Sequence, residues 1–128
     1  MMKTILVDAV YTFVSDHGEI FQEMRDILDK YPNRKIILTN AGDDKWQQYS
    51  LDNMPYEVFT LKHNPDKTDP NYFKIMLKKF NLTAKDVIYF EHNEDAVRSA
   101  RSVGIVTFHY DKDKRDLIAS KKFIDENL

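Results

Sequence analysis

Thr4-Ile5-Leu6-Val7-Asp8-Ala9-Val10 runs four β-branched or apolar residues straight into a carboxylate. Thr4 to Val7 shows no alternation of polar and apolar positions, which is the pattern of a short strand buried on both faces. Strands of that kind belong to parallel sheets. Open parallel sheets bind ligands just outside the carboxyl ends of their strands, so Asp8 stands where a nucleophile or a metal ligand would stand. The competing reading is an acid that only turns the chain into solvent. The residues downstream decide between the two.

Tyr11 to Ile20 sets a strand-like Thr12-Phe13-Val14 before the turn residues Ser15-Asp16-His17-Gly18, as in a short hairpin or flap beside the Asp8 strand end. Ile20, Phe21, Met24, Ile27, Leu28 and Tyr31 recur at helical spacing, which predicts an amphipathic helix from Glu19 to about Lys30, stopped before Pro32. Lys35 to Thr39 is a second buried strand ending in Thr39-Asn40. Asp43 or Asp44 then opens a helix through Tyr49 and Leu51. A third strand, Glu57 to Leu61, leads through a short loop to Lys67 and to Asp69-Pro70, an N-cap followed by a first-turn proline. The helix so opened carries Phe73, Met76, Leu77 and Phe80 on one face. A fourth strand, Asp86 to Phe90, ends in Glu91-His92-Asn93, and Asn93 caps a helix bearing Ala96, Val97, Ala100 and Val103. Gly104 closes that helix. Ile105 to Phe108 is a fifth strand, and a last helix starts near Asp113. This alternation predicts an α/β fold, a doubly wound parallel five-stranded sheet with helices on both faces, in a single domain spanning residues 1–128.

The 128 residues suffice for a core without staples, and there is no cysteine to supply a disulfide or a thiolate metal ligand. Nineteen Lys and Arg against 21 Asp and Glu leave no basic excess, so there is no nucleic-acid footprint. No apolar run approaches a membrane span, and the start of the chain lacks a signal-peptide pattern, which makes a cytoplasmic location the expectation.

If the sheet is parallel, Asp8, Thr39-Asn40, Lys67, and Glu91 with Asp95 all come to one edge. Their chemistry is then complementary. A carboxylate can attack phosphorus or carbon, a lysine and a divalent cation offset the charge of an anionic substrate, and hard oxygens suit Mg²⁺. His63 and His92 are candidate general bases whose simpler reading is that of loop histidines without a role; the simpler reading of Asp95 is a first-turn acid beside a helix dipole rather than metal support, and of Trp46 packing or surface rather than substrate stacking.

In this order the motifs Ile5-Leu-Val-Asp8-Ala-Val-Tyr-Thr12, Ile37-Leu-Thr39-Asn40, Lys67-Thr-Asp-Pro-Asn-Tyr-Phe73 and Val87-Ile-Tyr-Phe-Glu91-His-Asn-Glu-Asp95 resemble those of the haloacid dehalogenase (HAD) superfamily, over nearly the whole chain. The resemblance implies a HAD-like Rossmannoid fold without a cap domain. It makes Asp8 the nucleophile, Thr39 a binder of the transferring group, and Lys67 the residue that orients nucleophile and substrate. Asn40 and Thr12 fall among the substrate-binding residues. Asp8, the Val10 backbone carbonyl, Glu91 and Asp95 become the ligands of Mg²⁺.

Two positions depart from that family. Its phosphatases carry a second Asp two residues after the nucleophile, as general acid, where this chain has Val10. A missing general acid costs on the order of 10²- to 10⁴-fold, tolerable only with a good leaving group. Glu91 replaces the usual Asp and is followed by His92, and Tyr11 replaces an expected Gly, with its ring at the pocket mouth. The function implied is a Mg²⁺-dependent phosphohydrolase working through an aspartyl-phosphate at Asp8. The alternatives are a catalytically inactive binding or regulatory protein of the same fold and, third, a metal-free haloacid dehalogenase. An open, capless site suits macromolecular phosphosubstrates, or a lid from a second subunit of a homo-oligomer. A phosphoacceptor receiver domain is excluded by motif order, since Leu61-Lys62 stands where its phosphorylated Asp would follow the third strand.

Overall fold

Five strands, β1 (Thr4–Asp8), β2 (Lys35–Thr39), β3 (Glu57–Thr60), β4 (Val87–Glu91) and β5 (Val106–His109), form one parallel sheet in the order β3-β2-β1-β4-β5. The computed structural model describes residues 2–128. Helices α1 (Gln22–Leu28), α2 (Asp43–Trp46), α3 (Pro70–Lys79), α4 (Glu94–Ser102) and α5 (Leu117–Asn127) connect or follow the strands. The predicted doubly wound α/β sheet is therefore the observed one.

Every residue of β1 and β4 is buried, as their unbroken apolar runs require. Successive side chains alternate between the two faces. Ile5, Val7, Ile37, Ile88 and Phe90 pack beneath α1 and α5, with Met24, Leu28 and Ile124. Leu6, Leu38, Val87 and Tyr89 pack on the other face against Tyr72, Phe73 and Met76 of α3 and Ala100 of α4. Asp8 follows Leu6 by two and Glu91 follows Tyr89 by two, so both carboxylates leave the sheet on the α3–α4 face. Strand order reverses between β1 and β4, and the two acids flank that crevice, one residue beyond the Val7–Phe90 register pair.

Element ends differ from those predicted. Helix α1 is shorter than Glu19 to Lys30 because Phe21 lies in extended backbone before its first turn. The helix predicted through Leu51 breaks after Trp46; a short 3₁₀ turn over Leu51–Asn53 follows Ser50, which is left-handed (φ 55°). The Thr12–Val14 segment is a set of turns with single bridges to Val10 and Ile20 rather than a hairpin. Helix α5 begins at Leu117 and not near Asp113, because Asp116 caps it by accepting the Ala119 N–H at 2.9 Å. Strand β4 extends through Glu91, so that residue is held by the sheet and not by the loop after it. No helix among the described residues is long and apolar enough to cross a membrane.

Candidate active site

Lys67 is the hub at the sheet's carboxyl edge. Its side chain is 5% exposed, and Nζ donates to Asp8 Oδ1 at 2.5 Å and to Glu91 Oε1 at 2.8 Å. Longer contacts reach the Tyr89 hydroxyl at 3.3 Å and the Leu38 carbonyl at 3.4 Å. An isolated ammonium buried this far would be unstable; two carboxylates make it tenable. Three features hold the residue there. The Lys67 N–H donates to Asn40 Oδ1 at 2.8 Å, the Asp69 side chain accepts the Asn71 N–H to start α3, and the Tyr72 hydroxyl donates to the Thr39 carbonyl at 2.8 Å. The motif Lys67-Thr-Asp-Pro-Asn-Tyr thus works as a unit: cap, first-turn proline, and an aromatic anchor that ties α3 to β2.

Asp8 uses its other oxygen differently. Oδ2 accepts the Thr12 hydroxyl at 3.0 Å and forms a short hydrogen bond with His92 Nδ1. His92 Nδ1 also lies 3.4 Å from Glu91 Oε2, which accepts the Asn93 N–H at 3.1 Å. Tyr89 closes the network by donating to Glu91 Oε1. Burial alone would raise the Asp8 carboxyl, but Lys67 and the His92 hydrogen bond outweigh it and hold the group well below the usual carboxylate range. Burial raises Glu91, with Asp8 adding to the effect, so of the two acids Glu91 is the one that keeps a proton more readily. Burial would lower His92, yet its bond to Asp8 raises it above the ordinary imidazole value. Lys67 likewise stays protonated, because Asp8 and Glu91 outweigh its desolvation.

These groups face a cavity of about 370 Å³. Asp8, Thr39, Asn40, Lys67, Glu91 and His92 all line it, as does Val10. Thr39 also uses its hydroxyl to accept the Ala41 N–H at 3.1 Å, which shapes the turn after β2.

Three readings of the sequence change here. Thr12 is fully buried and bonded to Asp8, so it orients the carboxylate instead of touching a ligand. Asp95 is not brought to the group. Its side chain is 65% exposed and pairs with Arg98, because α4 turns it away from the crevice. His92, read as a loop histidine, is in the first rank of contacts to Asp8. The signal for it lay in its place one residue past a strand-end acid, though adjacency alone gave no direction to its ring. Tyr11 takes the left-handed conformation (φ 74°) where a Gly was expected, and packs edge-on against His92 with centroids 5.4 Å apart. Lys112 Nζ sits 4.5 Å from the centre of the same ring.

Asp8, Glu91 and His92 each present a ligand atom within 4.8 Å of the others. Mg²⁺ asks for one or two carboxylates and fills its remaining positions with water and phosphate oxygen. The donors present meet that requirement.

No family model matches the chain, and no curated protein matches it. Solved structures do. A haloacid dehalogenase-like protein of unknown function from Agrobacterium tumefaciens superposes with a TM-score of 0.70 at 12% identity, over 98% of this chain and 100% of that one. A HAD-family enzyme from Bacteroides thetaiotaomicron, solved with magnesium and inorganic phosphate, superposes with a TM-score of 0.65 at 13% identity, over 88% of this chain and 96% of that one. The N-terminal part of a Bacteroides fragilis protein, containing a phosphatase domain complexed with Mg, gives a TM-score of 0.69 at 12% identity. That match covers 97% of this chain and 40% of the other.

Proposed function

We propose, on the premise that this chain has the HAD-like fold its structural neighbours share, that it is a phosphohydrolase using Asp8 as nucleophile. The observation that carries this reading is the Lys67–Asp8 contact at the sheet's carboxyl edge, in an open cavity, with the carboxyl held ionised. Asp8 attacks the phosphorus of a phosphoester; the P–O bond to the leaving group breaks as the bond to the carboxylate forms. Water then attacks the phosphorus of the aspartyl-phosphate, releasing phosphate and restoring Asp8. Lys67 neutralises charge beside the attacking carboxylate and keeps it aimed at the cavity. Thr12 fixes its rotation, and Asn40 fixes the Lys67 backbone. Thr39, at the cavity wall, binds the transferring group. Mg²⁺ on Asp8, the Val10 carbonyl and Glu91 would supply further charge neutralisation at the phosphoryl oxygens.

Val10 can give no proton to the leaving oxygen, which therefore departs as an anion. Low-pKa leaving groups, as in acyl and aryl phosphates, suit such a site. An open cavity with no cap between β3 and α3 also suits a phosphoryl group carried on a macromolecule. Turnover of p-nitrophenyl phosphate and acetyl phosphate with Mg²⁺ tests the reading. Asp8→Asn should reduce both to background, whereas turnover unchanged by that substitution would refute an Asp8 nucleophile.

One observation favours a second reading, a binding or regulatory protein without chemistry. Both oxygens of Asp8 already accept hydrogen bonds from Lys67, Thr12 and His92. Asp8-dependent turnover of any phosphoester would exclude it.

A further inference from the structure

Water must lose a proton as it attacks the aspartyl-phosphate, and Val10 cannot take that proton any more than it can give one. A positioned proton acceptor speeds such a step by about 10²- to 10⁴-fold. The cavity offers few. Glu91 is fully buried and engaged by Lys67, Tyr89 and the Asn93 N–H. Asp44 lines the wall, but no hydrogen bond among the described residues orients its carboxylate. His92 is bonded to Asp8 itself, so it stands on the nucleophile's side of the phosphorus, whereas water arrives in line from the side opposite the bond that breaks. His63 is placed differently. It follows β3 as His92 follows β4, so the two residues border the cavity from opposite sides of β1 in the sheet.

His63 Nδ1 lies 2.6 Å from Asp66 Oδ1. A carboxylate can only accept, so in the neutral ring Nδ1 carries the hydrogen and Nε2 keeps its lone pair, with no partner among the described residues. The side chain is 59% exposed, at the cavity rim where water has access. The loop that delivers Lys67 also builds this dyad. Asp66 directly precedes Lys67, and its carbonyl accepts the Asp69 N–H at 2.9 Å before α3. The Lys62 N–H donates to Thr60 Oγ1 and the Asn64 N–H to the Leu61 carbonyl, each at 3.0 Å. Lys62 and His63 are both left-handed (φ 53° and 64°), a costly state for residues other than glycine and one that collects at functional sites. We propose that His63, oriented by Asp66, is the general base of dephosphorylation. Nε2 takes a proton from water as the water oxygen bonds to phosphorus; the P–O bond to Asp8 breaks, and its electron pair returns to the carboxylate. Phosphate leaves, and the imidazolium passes its proton to solvent. Asp66 is a positioning residue that fixes the tautomer and aim of the ring. This inference rests on the reading of Asp8 as nucleophile and supplies the second step of that reaction.

Brief loading of the full chain with acetyl phosphate and Mg²⁺, removal of the excess, and acid quenching at intervals measures how fast the phosphoryl group leaves Asp8. His63→Asn and His63→Gly both tolerate the left-handed backbone, and the second also leaves room for free imidazole. Both should slow the decay by about 10²- to 10⁴-fold. Formation of the phosphorylated protein should be unchanged, since the acetyl leaving group departs without a proton. Imidazole added to the buffer should speed the decay in His63→Gly, a rescue that a merely structural role would not show, and Asp66→Ala should slow the same step by a smaller factor. Decay as fast as the wild type in His63→Asn, slow decay in His63→Gly that imidazole does not speed, or loss of labelling in His63→Asn while the wild type labels would each overturn the proposal. In the first of these outcomes the Asp8 nucleophile still stands. No phosphoryl group on Asp8 in any of the proteins would overturn the nucleophile, and this inference with it.

Discussion

Lys67 is the residue on which the others depend, because its buried ammonium bridges the two buried carboxylates at 2.5 and 2.8 Å. Removing one partner of a buried ionic group leaves the remainder uncompensated, at a cost of roughly 3–5 kcal/mol. Lys67→Met should therefore lower unfolding free energy by about that amount, read from urea midpoints, and Lys67→Met with Glu91→Gln should recover part of it. An equal loss in both variants would show that the two acids do not repel one another. His92 makes a separate prediction. Its raised value means that its stabilising contribution is complete below the ordinary imidazole value of 6.5 and is lost as pH rises through the raised one. Asp8, lowered, contributes above its ordinary 3.8 and loses that contribution as pH falls toward the lowered value. As pH rises from about 5 through the raised His92 value, the wild type should thus lose stability relative to His92→Phe, as chemical denaturation on either side of that value would show. A constant difference between the two proteins would disprove the His92–Asp8 coupling.

Short loops at strand ends do the placing. After β4, the Asn93 side chain accepts the Ala96 N–H at 3.1 Å and its own N–H donates to Glu91, so one residue both starts α4 and fixes a site carboxylate. Asn93→Ala should cost about 1 kcal/mol as a lost cap while keeping the backbone N–H that donates to Glu91, so the Glu91 contact should survive it. Asp95→Ala, which breaks only an exposed pair with Arg98, should leave both stability and metal binding nearly unchanged. If Asp95→Ala abolished metal binding, the site would have to include it. Caps such as Asn93, Asp69 with Pro70, and Gly104 were legible because their chemistry is local. The start of α1, the break after Trp46 and the start of α5 were not, since apolar spacing does not report that Phe21 and Asp116 are extended and Ser50 left-handed.

Across the molecule, β1 and β4 come together at the reversal of strand order, and residues 59 positions apart, Asp8 and Lys67, meet because the parallel sheet brings both strand ends to one edge and the Asn40 and Tyr72 contacts hold the loop before α3 there. That much follows from five apolar runs alternating with helices, each ending in a polar group. Side-chain direction does not follow. Asp95 and His92 sit three residues apart at the same helix start, and only the turn of α4 decides that one faces solvent and the other Asp8. Thr12 was placed near the site by its motif, but its burial needed the packed turns of residues 9–20. A nucleophilic Asp8 at this edge must pass through an aspartyl-phosphate. Acid-quenching the protein during turnover of acetyl phosphate and measuring peptide masses tests it most directly. One added phosphoryl group on the peptide containing Asp8, absent in Asp8→Asn, is the predicted result; turnover with no phosphorylated peptide, or a phosphoryl group that persists in Asp8→Asn, would contradict it.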